Sequence, residues 1–286
     1  MSNRRLGDEC PYTLGYVGYN LRTMPSDSLL KAVINLVSEY RIETLAANPG
    51  IMGVINELDM VWEEFALQNH AGVQYLGSGD FLNWFPEFQL AMFDDSGRMI
   101  ARAMSAPIRW QGKTADLPVG GWTWGLENAA ETHQSGQTPN AVTAIEVTVA
   151  SGMQGKGLAQ IMLNAMKDNA KRLGFKLLVA AVRPNMKKLY PLISLQDYIT
   201  WTLKDGVTPF DHWLRVHWRA GGVISHIAHH SYPIQGTIAE WEEWTNLQMP
   251  VSGQYIINGG LVPVQIDYET GMGYYDEPNV WVIHKI

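Results

Sequence analysis

The period of the apolar positions changes along the chain, and each change marks an element. Across 26–37, Leu29, Leu30, Val33, Leu36 and Val37 recur at three- and four-residue spacing behind Ser26 or Asp27, which predicts a capped amphipathic helix. A second helix is expected over 51–67, with acids on its exposed face and an end near Asn69 and Gly72. From 87 to 108 the pattern shortens: FQLAMF and RMIARAMSAPI are apolar runs separated by Asp94, Asp95, Ser96 and Gly97, which is hairpin turn chemistry and predicts two antiparallel strands. The stretch 111–140, rich in Gly, Thr, Gln and Asn, reads as a long loop carrying Trp122 and Trp124; loops of that length are usually functional or disordered.

Over 141–150, AVTAIEVTVA is β-branched at nearly every second place and reads as a strand. The glycine-rich SGMQGKG follows, and then a helical stretch in which Leu158, Ile161, Met162, Ala165 and Met166 share a face, lysines gather toward the end and Gly174 closes it. A buried strand, 175–182, comes next, so strand, glycine loop, helix and strand form one βαβ unit. Pro184 starts a short helix reaching Tyr190, 211–219 looks helical, and Gly221 and Gly222 lead into a strand over 223–228. Thr237 and Glu240 make a capping box for a further helix. The runs LVPVQID and NVWVIHKI add two strands near the end. The whole is an α+β chain.

Composition narrows the function classes. With 286 residues, 46% hydrophobic and 17% charged, the chain can bury a normal core. Its 28 acidic and 21 basic side chains give a net charge of -7 without a run of either sign, which predicts no nucleic-acid partner. The single cysteine, Cys10, excludes an internal disulfide framework, and the absence of a CxxC or Cys/His pairing predicts no metal site. Neither an apolar signal core nor a run of about 20 apolar residues is present, so no membrane association and a cytoplasmic setting are expected.

The segment Gln154, Gly155, Lys156, Gly157, Leu158, Ala159 would set backbone N–H groups at the positive end of a helix, which is an anion seat. A Walker loop fails there because position 150 is Ala and position 157 is Gly, and a dinucleotide fingerprint fails because position 160 is Gln. A tight strand-to-helix turn without a ligand is the plainer alternative. The pattern Gln, two residues, Gly, one residue, Ala, filled by Gln154, Gly157 and Ala159, resembles the pyrophosphate loop of the GNAT superfamily. The preceding strand is similar too, with Val147 and Val149 at the places whose backbone pairs with the pantetheine arm in that family.

The resemblance, carried over about 85–222, implies a GNAT-like mixed, mainly antiparallel sheet flanked by helices. It divides the chain into an N-terminal helical segment, 1–80, a core with the acyl-CoA loop, 81–222, and a C-terminal α+β extension, 223–286. It implies acetyl-CoA or another acyl-CoA as co-substrate, held by Val147, Val149, Gln154, Gly155, Lys156, Gly157, Leu158 and Ala159. The implied reaction is transfer of an acyl group, acetyl in the first instance, to a small-molecule amine by direct attack in a ternary complex. Tyr190, after the fifth strand, is then the acid for the thiolate, Glu146 the base, and Thr148 a group that orients the acyl carbonyl, with the Val149 N–H on the oxyanion. Surface packing is the plainer role for Glu146, and helix packing for Tyr190. The chain departs from the family at Ser151, often Pro, and at Arg183, often an Asn that seats the cofactor.

Two rivals remain open. GNAT-like domains of polyketide loading modules decarboxylate malonyl-CoA and pass the acyl group to a carrier protein, which would use Thr148 and His217 here. A CoA-binding module without chemistry is the other. Of the 11 tryptophans, Trp122 and Trp124 are named for an acceptor cleft, His226, His229 and His230 are read as solvated surface past a strand, and the long C-terminal part suggests an acceptor pocket or a homodimer contact.

Overall fold

The computed structural model describes residues 40–286 apart from 56, 59–61, 111 and 114–115, so the helix expected over 26–37 lies outside the described residues. The strands are β1 (Arg41–Thr44), β2 (Gln89–Phe93), β3 (Met99–Ile108), β4 (Ala141–Val149), β5 (Leu177–Val182), β6 (Val223–Thr237), β7 (Gly253–Tyr255), β8 (Val264–Asp267) and β9 (Met272–Lys285). The helices are α1 (Asp80–Trp84), α2 (Gly121–Gln134), α3 (Leu158–Arg172), α4 (Leu195–Tyr198), α5 (His212–Arg219) and α6 (Ile238–Thr245). Among the described residues the strands join one sheet in the order β1-β2-β3-β4-β5-β9-β8-β7, with β6 also on β9. The β4–β5 pair is parallel and the other pairs are antiparallel, so the sheet is mixed and the fold is α+β, as the sequence predicts.

The βαβ unit forms as expected. The apolar face of α3 buries Leu158, Met162, Leu163 and Met166, and Gly174, at φ 91°, lets the chain turn off the helix. Asp211 caps α5 by accepting from the N–H groups of Trp213 and Leu214, and Thr237 with Glu240 makes the predicted capping box of α6.

Four expectations are corrected. The stretch 111–140 is not one long loop, because α2 occupies Gly121–Gln134. Of its six buried residues only Leu126 is a large apolar one; Gly121, Gly125, Ala129 and Ala130 make a stripe of small residues that hydropathy patterning hardly registers. A Cβ on Gly121 would come within 2.1 Å of Ser231 Oγ, and one on Gly125 within 2.9 Å of Thr143 Oγ1, so the glycines let α2 lie directly against β6 and β4. In place of a helix over 51–67 the chain makes two 3-10 turns, Pro49–Gly53 and Glu64–Gln68. Ile51, Ile55 and Leu58 still fill one core cluster, since short turns can present a three- to four-residue spacing as well as a helix does. The helix expected over 184–190 is a 3-10 turn, Lys187–Leu189. The strand expected over 223–228 continues to Thr237 through Pro233, which the strand accommodates beside two register shifts against β9.

The C-terminal stretch is not set apart from the core. Val182 of β5 pairs with Val280 of β9, and residues 41–286 form one compact unit. No helix among the described residues is long and apolar enough to cross a membrane.

Candidate active site

The glycine loop sits where the sequence places it. Gly155 and Gly157 have φ of 77° and 79°, in the left-handed region that favours glycine, and Gly157 is the N-cap of the 15-residue α3. The residues from Gln154 to Gly157 are exposed, and the first N–H groups of a helix have no carbonyl behind them. Donors, helix dipole and the Lys156 ammonium therefore face solvent together, which fits a pyrophosphate.

The strand before the loop has an open edge. The β4–β5 pairing covers only Val142–Ala144 with Leu178–Ala180, and beyond it the two strands part. On the other edge, the Ala150 N–H donates to Ile100 O and β3 pairs all along β4. Backbone groups alternate in direction along a strand, so the N–H and C=O of Val147 and Val149 turn into the gap. The Gln154 amide reaches the Val149 carbonyl at 3.3 Å. A slot lined by unpaired strand backbone and leading to a helix N-terminus suits an amide-bearing chain that ends in phosphates, which is the shape of CoA.

A bulge sits in this strand. Ser105 pairs with Ala144 and Met104 with Glu146, which leaves Ile145 unpaired between them. The Ile145 carbonyl accepts the Trp122 indole N–H at 2.9 Å. Past the bulge the pleat puts Glu146 and Thr148 on one face with Arg102, and Val147 and Val149 on the other. Arg102 Nε and Nη2 grip the Glu146 carboxylate at 2.9 and 3.1 Å, Arg102 Nη1 donates to Ile55 O, and the Thr148 hydroxyl donates to Glu146 Oε1. Glu146 is thus no surface residue: its side chain is 14% exposed.

Across the gap stands a second two-point pair. Arg183, the residue after β5, donates through Nε and Nη2 to Glu277 at 2.8 Å each, and Nη2 also donates to Gly259 O at 2.7 Å. Glu277 further accepts from Tyr275 OH and Asn279 Nδ2. Tyr232 links the two sides: its ring lies 4.9 Å from that of Trp122 and its hydroxyl donates to Ala66 O at 2.6 Å. Burial first, then the charge of Glu277, push its phenol above the ordinary tyrosine range; Arg183 opposes and Glu146 adds to the rise. The gap is therefore ringed by Glu146, Trp122, Tyr232, Glu277 and Arg183.

Tyr190 stands apart from that ring of polar groups. It follows the Lys187–Leu189 turn and packs with Trp201, Tyr198 and Phe210 at centroid distances of 5.0, 6.0 and 6.1 Å. Its hydroxyl has no hydrogen-bond partner among the described residues. His217 is buried on α5 with its Nδ1 3.0 Å from His284 Nε2. His284 pairs with Leu178, which pairs with Val142, the second residue of β4. Thr148 lies six residues further along, roughly 20 Å at about 3.3 Å per residue. Thr148 and His217 are not brought together. Trp122 lies at the gap, whereas Trp124 packs on buried Trp281, and His226, His229 and His230 lie on β6 rather than past a strand.

No family model matches the chain. Over 281 residues it is 30% identical to the arginine N-acetyltransferase avaD of Aspergillus versicolor, an alignment spanning 88% of this chain and 96% of that protein. The chain belongs to the GNAT superfamily. It is an N-acyltransferase that takes its acyl group from an acyl-CoA and acts on an amine. Two solved structures share the fold of this GNAT enzyme. The loading GNATL domain of CurA from Lyngbya majuscula matches with a TM-score of 0.55 and 14% identity over 86% of this chain and 97% of that one. The GNAT-like decarboxylase GphF, in complex with isobutyryl-CoA, matches with a TM-score of 0.53 and 15% identity over 86% and 98%.

Sequence reasoning missed Arg102, Tyr232 and Glu277. Arg102 left a trace, as a charge inside the apolar run MIARAMSAPI, where a partner is required. Glu277 and Tyr232 left none, because they meet the gap only through β9 and β6 pairings far along the chain.

Proposed function

We propose that this GNAT enzyme moves an acetyl group from acetyl-CoA to the primary amine of a small molecule, by direct attack while both substrates are bound, with an amino acid of the arginine type as acceptor. The observation that carries the reading is the gap between β4 and β5, with an exposed glycine loop at a helix N-terminus at one end and a ring of polar side chains on one face. The Val147 and Val149 backbone and the segment Gln154, Gly155, Lys156, Gly157, Leu158 and Ala159 hold the CoA, which supplies a thioester activated toward amines. The arginine N-acetyltransferase that the chain resembles supports the choice of acceptor.

Each proton has a carrier. Glu146 accepts three hydrogen bonds, from Arg102 and Thr148, out of the roughly four that a carboxylate can take. The remaining lone pair receives the proton of the acceptor ammonium, directly or through a water. Arg102 and Thr148 fix the carboxylate in place, and Thr148 sits beside the acyl carbonyl. The Val149 N–H holds the carbonyl oxygen as charge builds on it. Tyr190 gives its phenolic proton to the departing sulfur, with no hydrogen bond to the described residues to break first; the nitrogen sheds its second proton to solvent as the amide forms, and the phenolate takes one back from solvent.

The test is mass spectrometry of CoA species and amines after incubation with acetyl-CoA or malonyl-CoA, with and without a panel of amino acids and simple amines. The proposal expects free CoA only when an amine is present, together with an acetylated amine of matching yield. Conversion of malonyl-CoA to acetyl-CoA without an amine would instead assign the chain to decarboxylation and carrier-protein transfer.

A further inference from the structure

Arg183 stands where the family often carries Asn, and the N-acyl transfer mechanism above leaves it unused. Its environment is costly to build. Glu277 is 1% exposed, and its carboxylate holds the Arg183 fork at two points while Gly259 O takes a third N–H. A guanidinium has five N–H groups. Three are used, and the two on Nη1 meet no partner among the described residues, although the side chain is 26% exposed. The guanidinium is therefore clamped on one edge and open on another, the arrangement of a preorganised anion reader.

Lys187 is fully buried, donates to Tyr190 O and Leu261 O at 2.8 Å each, and lies within the field of Glu277. Burial disfavours the Lys187 ammonium and Glu277 favours it, while Glu63 packs against Gly259 on the other flank of Arg183. On the other side of the gap, Arg102 and Glu146 balance each other. Tyr232 stands beside Trp122, whose indole holds the Ile145 carbonyl next to Glu146, and pairs in register with Glu277, which clamps Arg183, so Glu146 and Arg183 flank the same gap.

We propose that Arg183 reads the acceptor: its free Nη1 edge takes a carboxylate of the incoming amine, which restricts the enzyme to amino acids. This rests on the N-acyl transfer reading and adds to it the residue that selects an amino-acid acceptor. Glu277 and Gly259 O are then positioning groups, and the place after β5 is a specificity position.

The experiment compares the wild-type enzyme on L-arginine, L-argininamide and agmatine at saturating acetyl-CoA. The three share the amine and the guanidinium, and differ in whether the carboxylate is present, neutralised or removed. A charge-assisted contact of this kind predicts a KM roughly 10- to 100-fold higher for argininamide and agmatine, with a much smaller change in kcat. The double variant Arg183→Met/Glu277→Gln, which leaves no buried carboxylate unpaired, is expected to bring the arginine-to-argininamide ratio of kcat/KM close to one. Equal use of all three by the wild type overturns the proposal, whether or not the variant folds. So does full discrimination retained by a folded variant. If no amine of any kind is acylated, the N-acyl transfer reading falls and this proposal falls with it; if amines are acylated without regard to a carboxylate, only this proposal falls.

Discussion

At the scale of single residues, the pairings around the gap separate catalysis from packing. The Tyr190 ring is embedded among aromatic neighbours while its hydroxyl makes no hydrogen bond among the described residues. Tyr190→Phe should therefore leave the melting temperature within a few degrees and lower kcat by about 100-fold, which initial rates and thermal melts on the same preparation would show. Unchanged kcat would reduce Tyr190 to a packing residue. Arg102 makes the opposite case, since both it and Glu146 are largely buried, at 8% and 14% exposure of their side chains. Arg102→Met strands a carboxylate and should cost about 3 kcal/mol in urea unfolding, and the double variant Arg102→Met/Glu146→Met should recover most of that stability without recovering activity. Arg102 was visible in the sequence as a misplaced charge, but its partner was not, because the pairing runs across a bulged β3–β4 register that no spacing rule foretells.

At the scale of elements, the loop and helix after β4 are local in origin and were legible. Glycine at 155 and 157 is needed for positive φ, and the helix begins where the apolar spacing begins. A methyl group on Gly157 would meet nothing within 4 Å, so Gly157→Ala is penalised by its φ of 79° rather than by a clash. The variant should lose about 1 kcal/mol of stability, and its KM for acetyl-CoA should rise several-fold while kcat at saturation stays near wild type. Isothermal titration with CoA would check the binding half of this, and unaltered affinity would mean that the loop is a turn and no seat. The element the sequence concealed is α2. Its Gly121, Gly125 and Ala129 form a buried stripe with hardly any hydropathy signal, yet that stripe lets Trp122 reach the carbonyl of the bulge at Ile145.

At the scale of the whole molecule, acid stability should report on the seam between α5 and β9. His217 and His284 face each other in the interior, and His284 Nδ1 has no hydrogen-bond partner in the described structure. Burial, with the Lys167 ammonium adding to it, holds His284 down at about 4; burial, then His284 and Lys167, lower His217 well below the ordinary histidine range. Both rings are therefore neutral in the folded protein, while in the unfolded chain they take up protons near the ordinary value of about 6.5. The unfolded state binds more protons below that value, so stability must fall as the pH drops from about 6.5 toward 4, by up to about 1.4 kcal/mol per pH unit for each histidine. Chemical unfolding across that range would measure the slope, and His284→Gln should flatten it; an equally steep slope in the variant would place the acid sensitivity elsewhere.

The sequence by itself determined what depends on short spans of chain: the strand, glycine loop, helix and strand from 141 to 182, the hairpin at Asp94 to Gly97, the helix from Asp211 and the capping box at Thr237, and with them the α+β class. Local steric and hydrogen-bonding rules act within a few residues, and periodicity records them. Tertiary structure alone decided the gap itself, because it opens where β4 leaves β5 while β9, a hundred residues later, takes the other edge of β5. It also decided which charges meet there. Arg183 and Glu277 are 94 residues apart in sequence, and Arg102 and Glu146 are 44 apart. Those pairs are set by strand order and register, which arise from burial summed over the whole sheet rather than from any one segment's preference.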